Sequence, residues 1–259
     1  MKPERLPPRI VSLVPSLTEA LFVLGLGDRV VGVTQWCVHP ASAVERLPKL
    51  GGTKNPDLAA IRALRPDLVI ANREENKRRD VERLRAGGVP VWVTSPRTVA
   101  EGVALLRELA ELGGREVELQ SVVAPVEAVV ASARREPAPR PTRVFCPIWK
   151  APWMTVGADT YAHDLLSLCG GENVFAGRRD RRYPRVTEDE IVAAAPEVVL
   201  LPDEPYAFGP RDAAELSRLP LPASASGCVH LIDGTLVSWY GPRIGLAIQT
   251  LRPLLRGPG

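Results

Sequence analysis

A repeated segment constrains the fold of this chain more than any other sequence feature. Residues Ile61–Ala71 align with residues Ile191–Leu201, and the spacing from isoleucine to proline is the same in both copies. Because proline cannot continue a helix, each copy predicts a helix, a turn at a proline-acid pair and then a strand. A second pair of similar segments, Leu21–Val30 and Leu165–Val174, carries glycine and an acid at matching positions. The sequence therefore predicts two diverged copies of one α/β unit.

Short apolar runs alternate with helical patterns in both halves of the chain. This β-α-β order predicts parallel strand pairing and an α/β fold. Three hydroxyl residues are followed at the third position by glutamate, which predicts helix starts at Ser16, Thr98 and Thr187. The predicted strands are Arg9–Val14, Val30–Val33, Leu68–Ala71, Val89–Val93, Val144–Ile148, Val198–Leu201 and Val229–Ile232, and later helices are predicted at Tyr161–Cys169, at 187–194 and from about Gly241 to Leu255.

The middle of the chain is helical in pattern from Thr98 to Arg135, with a break at Gly113-Gly114. A helix of about 20 residues is roughly 30 Å long, enough to cross from one lobe to another. The segment Pro137–Pro141 then ends it. We expect an N-terminal α/β lobe at residues 1–97, a bridging helical segment at 98–141 and a C-terminal α/β lobe at 142–259.

Composition excludes several classes of function. The 33 basic residues are spread among 30 acidic ones, and the sequence has no basic stripe with interleaved aromatic residues. A nucleic-acid-binding surface is therefore not predicted. The apolar stretches are far shorter than the roughly 20 residues that span a bilayer. Four cysteines without a C-x-x-C pair favour reduced thiols. Without an apolar signal segment at the start, we expect a cytoplasmic protein, or a periplasmic or extracytoplasmic one if a signal was removed.

The loops after the two repeated strands are rich in carboxylates. Glu74 and Glu75 follow the first, and Asp203 and Glu204 follow the second. In open α/β sheets ligands bind at the carboxyl ends of the strands, so we expect these loops to line a shared cleft. The sequence has no glycine-rich nucleotide motif, no G-x-S-x-G and no H-E-x-x-H.

Aromatic residues are few, 5% of the chain, yet six of them fall in loops or at strand ends. Flat rings with a polar edge suit a large planar ligand. Two of the six, Trp149 and Trp153, fit equally well as packing of the second lobe. The pair Cys37 and His39 is compatible with a metal ligand, or an axial ligand to a bound metal, as well as with hydrogen bonding inside the loop. The six aromatics are Trp36, Trp149, Trp153, Tyr183, Trp239 and Tyr240.

Five segments resemble the cobalamin and siderophore family of substrate-binding proteins of ABC importers, closest to its cobalamin-binding members. These segments are Arg9–Leu21, Gly51–Thr53, Ala63–Ala71, Leu168–Phe175 and Pro242–Ile244. The resemblance implies two Rossmann-like lobes with parallel-rich sheets joined by one long backbone helix. It implies non-enzymatic binding of a corrinoid such as cobalamin, or of a related metal chelate, between the lobes, with no required cofactor.

The same resemblance implies roles for individual residues. Trp36 and Tyr183 stand where the family has ligand-stacking aromatics, and Trp239, Tyr240 and Arg243 fall in a loop that contacts ligand in the family. The complete predicted ligand-binding set is Pro15, Trp36, Glu74, Glu75, Trp149, Trp153, Tyr183, Glu204, Trp239, Tyr240 and Arg243, with His39 as a possible metal ligand.

The sequence departs from the family at three places. Asn72 replaces a tryptophan of the cobalamin binders, and charged residues follow it. Family members usually carry an acidic residue on each lobe that docks on the permease. In the first lobe Ala59 stands at this position, with Asp57 nearby, and in the second lobe the position corresponds to Asp189 or Glu190. The cysteine that pairs with the Cys169 equivalent is absent near Arg252, so no disulfide is expected. Several alternatives stay open beside a corrinoid-binding protein. They are a siderophore, haem or metal-ion binding protein, a cytoplasmic carrier, an interaction protein that kept the fold and lost the ligand, or an enzyme that acts on a metal chelate with Glu74, Glu75, Asp203, Glu204 and His39.

Overall fold

The computed structural model describes residues 2–178 and 181–256, without the side chain of Arg256. The chain divides into two compact units. Unit 1 comprises residues 1–96, 101–126 and 240–242, and unit 2 comprises residues 97–100, 127–239 and 243–259. A basic run in the sequence at residues 178–182, which is compatible with binding an anionic group and also with a solvated loop, falls partly outside the described residues, which exclude Arg179 and Asp180. Within the described ranges, no helix is both long and apolar enough to cross a membrane.

Unit 1 contains a four-stranded sheet in which all pairings are parallel, in the order β2-β1-β3-β4. Its central strands β1 and β3 are completely buried. The elements in chain order are β1 (Ile10–Ser12), α1 (Pro15–Val23), β2 (Val30–Val33), α2 (Ala41–Val44), α3 (Leu58–Ala63), β3 (Leu68–Asn72), α4 (Arg78–Ala86) and β4 (Val91–Thr94).

The helical middle segment contains two of the points at which the chain passes from one unit to the other, after residue 100 and after residue 126. It consists of α5 (Val99–Gly113), α6 (Glu116–Glu118), a π-helical turn at Leu119–Val123, and α7 (Ala124–Arg135). The predicted break is confirmed: α5 ends at Gly113, and Gly114 has a φ of 68°, which glycine adopts without steric cost.

Unit 2 contains a second four-stranded parallel sheet in the order β10-β9-β5-β8. A small antiparallel pair, β6 with β7, lies outside this sheet and was not predicted. The elements are β5 (Thr142–Phe145), β6 (Pro147–Trp149), β7 (Met154–Thr155), α8 (Tyr161–Leu168), β8 (Gly171–Asn173), α9 (Glu188–Ala194), β9 (Val198–Pro202), α10 (Pro210–Leu216), α11 (Pro222–Ala225), β10 (Val229–Ile232), α12 (Thr235–Ser238) and α13 (Ile244–Arg256).

The two sheets have the same topology. Read from the opposite edge, unit 2 has the order β8-β5-β9-β10, so its first, second, third and fourth main strands take the positions of β1, β2, β3 and β4. The repeated segment keeps its backbone as well. The residues before the two prolines, Arg65 and Ala195, have left-handed φ values of 45° and 43°. The predicted α/β fold with parallel sheets in two lobes is therefore confirmed. The exact bounds of the predicted three-part division stay a prediction.

An arginine near the start of the first main strand, β1 or β5, braces the repeated helix in each unit. Arg9 donates to the carbonyl of Leu64 over 2.7 Å, and Arg143 donates to the carbonyl of Ala194 over 2.6 Å. Cations at a helix carboxyl end are favourable, because the last carbonyls lack partners within the helix. The sequence contains this pair of arginines, but their equivalence shows only once the strands are paired.

The acid after each proline completes the brace. Asp67 accepts from the backbone amide of Arg9 over 3.1 Å, and Glu197 accepts from that of Arg143 over 2.9 Å. The amide of Arg143 and then the guanidinium of Arg140 lower the pKa of Glu197 below its usual range. The proline-acid pair thus ends a helix and also fixes the start of the neighbouring strand.

Two helix starts differ in outcome. The capping box of Thr187 and Glu190 is confirmed at α9. The one predicted at Ser16 is wrong, because α1 begins at Pro15 and its N-cap residue is Val14. Proline at the first helical position has no backbone N–H that needs a partner, so the helix can begin two residues earlier than predicted.

We predict that Glu197→Gln lowers the free energy of unfolding by about 1 kcal/mol at pH 7, since a charged acceptor is lost. The lowered pKa of Glu197 means that this stabilisation is present above the unfolded-state pKa and is lost as the pH falls through the folded-state pKa. The difference from wild type should therefore shrink in urea unfolding at pH 3.5. Glu172→Gln, at an exposed pair with Arg143, is the control and should change little at either pH.

Candidate ligand-binding site

Each strand of unit 1 ends at a buried polar residue. Ser12, Asn72 and Thr94 are the last residues of β1, β3 and β4, and Thr34 follows β2. All four are at most 5% exposed. The parallel order places them along one edge of the sheet, where polar groups are available for holding loops. The sequence signal for this set, a polar residue directly after each apolar run, was not used in the prediction.

Asn72 and Asn76 fix the loop that carries the two predicted glutamates. The side chain of Asn72 accepts from the amide of Glu74 over 2.7 Å, and that of Asn76 accepts from the amide of Asn72 over 2.8 Å. Asn76 also donates to the carbonyl of Thr53 over 2.9 Å. Glu74 and Glu75 are half-buried on this braced loop. Where the family's cobalamin binders have tryptophan, this chain therefore has an amide that organises the loop.

The loop after β2 presents Trp36 on a buried anchor. The thiol of Cys37 lies 3.1 Å from the hydroxyl of Thr18 and 3.2 Å from that of Thr34. Cys37 is completely buried while its neighbour Trp36 is 58% exposed. Burial raises the pKa of the Cys37 thiol, and the charge of Glu75 adds to this. The thiol thus acts as a fixed, protonated anchor beneath an exposed indole.

Tyr240 belongs to unit 1, and its phenol is buried in the same polar region. Its hydroxyl lies close to the side chains of Ser16 and Thr94. Burial raises the pKa of Tyr240 well above its usual value, and the charges of Glu75 and Glu74 raise it further. Pro15 is buried at the start of α1, beside Ser16. Unit 1 therefore brings together Pro15, Glu74, Glu75 and Tyr240 of the predicted set.

In unit 2, carboxylates at the strand ends brace the following loop. Asp203 accepts from the amide of Gly234 over 2.7 Å. Glu204 accepts through one oxygen from the hydroxyl of Ser238 over 2.6 Å and from the indole nitrogen of Trp239 over 2.8 Å. The predicted residues Glu204 and Trp239 therefore form one hydrogen-bonded unit.

Arg243 lies over the ring of Trp239, with its guanidinium carbon 4.9 Å from the ring centroid. It donates to the hydroxyl of Thr235 over 2.7 Å and pairs with Asp233 over 3.5 Å. A guanidinium over an indole face is attracted by the ring quadrupole. One face of Trp239 is thus occupied by the protein itself.

Trp149 and Trp153 differ in how they pack in unit 2. Trp153 is 7% exposed, stacks on Phe208 at 5.9 Å and lies edge-on to Phe145 at 6.3 Å. Trp149 is 44% exposed and contacts Tyr206 edge-on at 5.6 Å. Most of the Trp153 surface is therefore used in the core of unit 2, whereas Trp149 presents its indole to solvent. Ligand contact by either residue stays a prediction.

Tyr183 is half-buried, and its neighbour Arg182 donates to Asp159 over 2.8 Å. Asp159 also accepts from Arg97 over 3.0 Å. This hydrogen bond from Arg97 does most to lower the pKa of the Asp159 carboxyl. The basic run at 178–182 is thus partly neutralised by Asp159, an acid that the sequence did not single out.

Within residues 2–178 and 181–256, no three His, Cys, Asp or Glu side chains lie close enough together to hold a metal ion. His39 lies in the Trp36 loop, before the cis peptide bond to Pro40. A role for His39 as an axial ligand to a metal that arrives inside a chelate stays a prediction.

A family described as periplasmic binding protein matches residues 10–220 of this chain. Because the match covers most of the sequence, the chain belongs to that family. Ligand binding is therefore its function, in agreement with the sequence-based prediction.

Individual relatives cover nearly the whole chain. A vitamin B12-binding protein of Yersinia pestis (strain Pestoides F) is 29% identical over 244 residues, 94% of this chain and 84% of the relative. The periplasmic haem-binding protein RhuT from Roseiflexus sp. RS-1, in apo form, is 26% identical with a TM-score of 0.81, covering 97% of this chain and 98% of the other.

The periplasmic vitamin B12-binding protein BtuF of Vibrio cholerae shares the fold, with a TM-score of 0.82, 24% identity and 96% of each chain covered. The predicted kinship with cobalamin-type binding proteins is thus confirmed. The cytoplasmic location expected from the sequence gains no support from a family of periplasmic proteins, which fits the alternative location instead.

We predict that Gly234→Ala destabilises unit 2 by about 1–3 kcal/mol, as overpacking does in tight sites. A methyl group at this position would lie 2.7 Å from the amide nitrogen and 2.9 Å from the carbonyl oxygen of Glu204. Both are backbone atoms, so the loop itself must shift. Urea unfolding measures the effect. Gly177→Ala is the matched control, because nothing lies within 4 Å of its added methyl, and it should leave stability nearly unchanged.

Proposed function

We propose that this protein binds a corrinoid such as cobalamin, or a closely related metal chelate, without covalent chemistry. The observation that carries the proposal is the exposed indole of Trp36 on its buried Cys37 anchor at the strand edge of unit 1. An exposed aromatic ring on a loop that is anchored by a buried neighbour is well suited to stack on a large, flat, apolar ligand. That one ligand meets the edges of both units remains part of the sequence-based prediction.

Cobalamin is the first candidate because the whole-chain relative from Yersinia pestis is named for vitamin B12 binding. Haem is the second candidate, because RhuT is named for haem binding and is 26% identical. The carboxylates Glu74 and Glu75 favour the first. A haem carries two carboxylates that glutamates would repel, whereas the amide groups of a corrinoid can donate hydrogen bonds to them.

We further propose that the protein is not an enzyme. The carboxylates that an enzyme hypothesis would use in unit 2 already serve as hydrogen-bond acceptors for the loop that follows β10. Family membership supports binding as the function. A metal-dependent turnover of a chelate that is lost in Glu74→Gln would contradict this part of the proposal.

We propose that the protein works outside the cytoplasm and delivers its ligand to an ABC importer permease. The docking acid in unit 2 would be the exposed Asp189. Glu190 is less suited, because its carboxylate accepts from Thr187 in the capping box and pairs with Arg178. In unit 1, Asp57 is exposed while it caps α3. Cell fractionation tests the location, and protein found entirely in the cytosol would contradict import.

We predict that Trp36→Ala weakens binding of cyanocobalamin at least tenfold, the size of effect typical of a central aromatic contact. Isothermal titration, with the corrin absorption bands followed in parallel, measures the dissociation constant. Val117→Ala removes another exposed apolar side chain of unit 1 and serves as the control, with no expected change.

Equal affinity of the Trp36 variant and wild type would remove the central contact of the proposal. Tight binding of haemin together with no binding of cyanocobalamin would make haem the ligand. A spectral shift with aquocobalamin that is absent with cyanocobalamin, and lost in His39→Ala, would identify His39 as a ligand to cobalt.

A further inference from the structure

The carboxylate of Glu204 already accepts hydrogen bonds from other residues of the protein. Its Oε1 atom accepts two hydrogen bonds from consecutive residues, over 2.6 Å from Ser238 and over 2.8 Å from the indole of Trp239. Hydrogen bonds to an ionised acceptor are shorter and stronger than neutral ones. Glu204 therefore has the geometry of a brace for the indole.

The indole of Trp239 is held from a second direction as well. The guanidinium of Arg243 lies over its ring, and Arg243 is itself fixed by Thr235 and Asp233. With its nitrogen bonded to a carboxylate and one face covered by a cation, the ring has a single orientation. Trp239 is 6% exposed, so its remaining accessible surface is small and well defined.

The backbone adds a third constraint on the same group. Gly234 approaches the backbone of Glu204 too closely for any side chain, and its amide is bound by Asp203. The strand-end loop that carries Glu204 and the loop that carries Trp239 are thus joined at two points. A displacement of Glu204 would be transmitted directly to the indole.

We propose that Glu204 is a positioning residue, which sets the orientation of Trp239 for the ligand and does not itself contact the ligand. The inference rests on the proposed function, because Trp239 is taken to be part of the chelate-binding surface. Positioning groups act by pre-organisation, so their loss weakens binding through the residue that they hold.

The hydrogen bond is tested in the protein without ligand. The five tryptophans give five indole N–H resonances in ¹⁵N-labelled protein, and Trp239→Phe assigns one of them. We expect Glu204→Leu to move that resonance away from its hydrogen-bonded position, and Glu204→Gln, which retains an acceptor oxygen, to restore it in part. An unchanged Trp239 resonance in Glu204→Leu would overturn the proposal. Glu172→Leu, at an exposed strand position of the same unit, is the control.

The positioning role is tested by a double-mutant cycle with cyanocobalamin as the probe. We expect Glu204→Leu to raise the dissociation constant about tenfold, the effect of losing one charge-assisted hydrogen bond. In the Trp239→Phe background, which lacks the indole N–H, the same change should raise it less than about threefold. An equal loss in both backgrounds would mean that Glu204 contacts the ligand directly, and no loss in either would mean that it does not act on binding. Both results overturn the proposal.

Two controls keep the outcomes separate. Far-UV circular dichroism and urea unfolding show whether Glu204→Leu folds, and Glu204→Gln provides the conservative variant if it does not. Absence of cyanocobalamin binding by the wild-type protein would count against the proposed function. In that case the indole resonance still decides whether Glu204 holds Trp239.

Discussion

Parallel pairing of every strand in the two four-stranded sheets is the constraint on which the rest of the structure depends. Parallel strands collect their carboxyl ends on one edge, and the loops that leave this edge must satisfy their polar groups with whatever side chains the strand ends provide. In unit 1 these side chains are Ser12, Thr34, Asn72 and Thr94. Hydrogen bonds of these side chains fix the loops that carry the candidate ligand-binding residues, and so set the positions of those residues at the strand edge.

The hydrogen bonds between the strand-end side chains and the loops also have an energetic basis. A buried polar group without a hydrogen-bond partner costs free energy, so a buried hydroxyl or amide at a strand end stabilises a particular loop conformation and disfavours others. Thr18 and Thr34 do this for the loop of Trp36 through the thiol of Cys37. A binding surface built on such anchors loses less conformational entropy when a ligand arrives.

The sequence predicts the architecture well and the site only in part. Proline, acid and apolar run recur at fixed spacing, and these local signals determine the helix-turn-strand repeat in both units. The roles of Asn72 and Glu204 depend on residues distant in the chain, Thr94 for Asn72 and Trp239 for Glu204. Such pairings follow from strand register, which a single sequence does not specify. The small strands β6 and β7 escaped prediction because segments of two or three residues carry almost no periodicity.

The two acidic loops, equivalent in the repeat, have diverged in how their charge is used. In unit 1 amides brace the loop, with Asn72 and Asn76 making the hydrogen bonds, and the charges of Glu74 and Glu75 act on Tyr240. In unit 2 the carboxylates of Asp203 and Glu204 themselves brace the loop, and Asp233 pairs with Arg243. The negative charge of the unit 2 loop is thus largely satisfied by groups of the same unit, whereas the charges of Glu75 and Glu74 in unit 1 add to the effect of burial, which raises the pKa of the Tyr240 phenol. The two similar strand edges therefore differ in chemistry, because side-chain amides brace the loop of unit 1 and carboxylates brace the loop of unit 2.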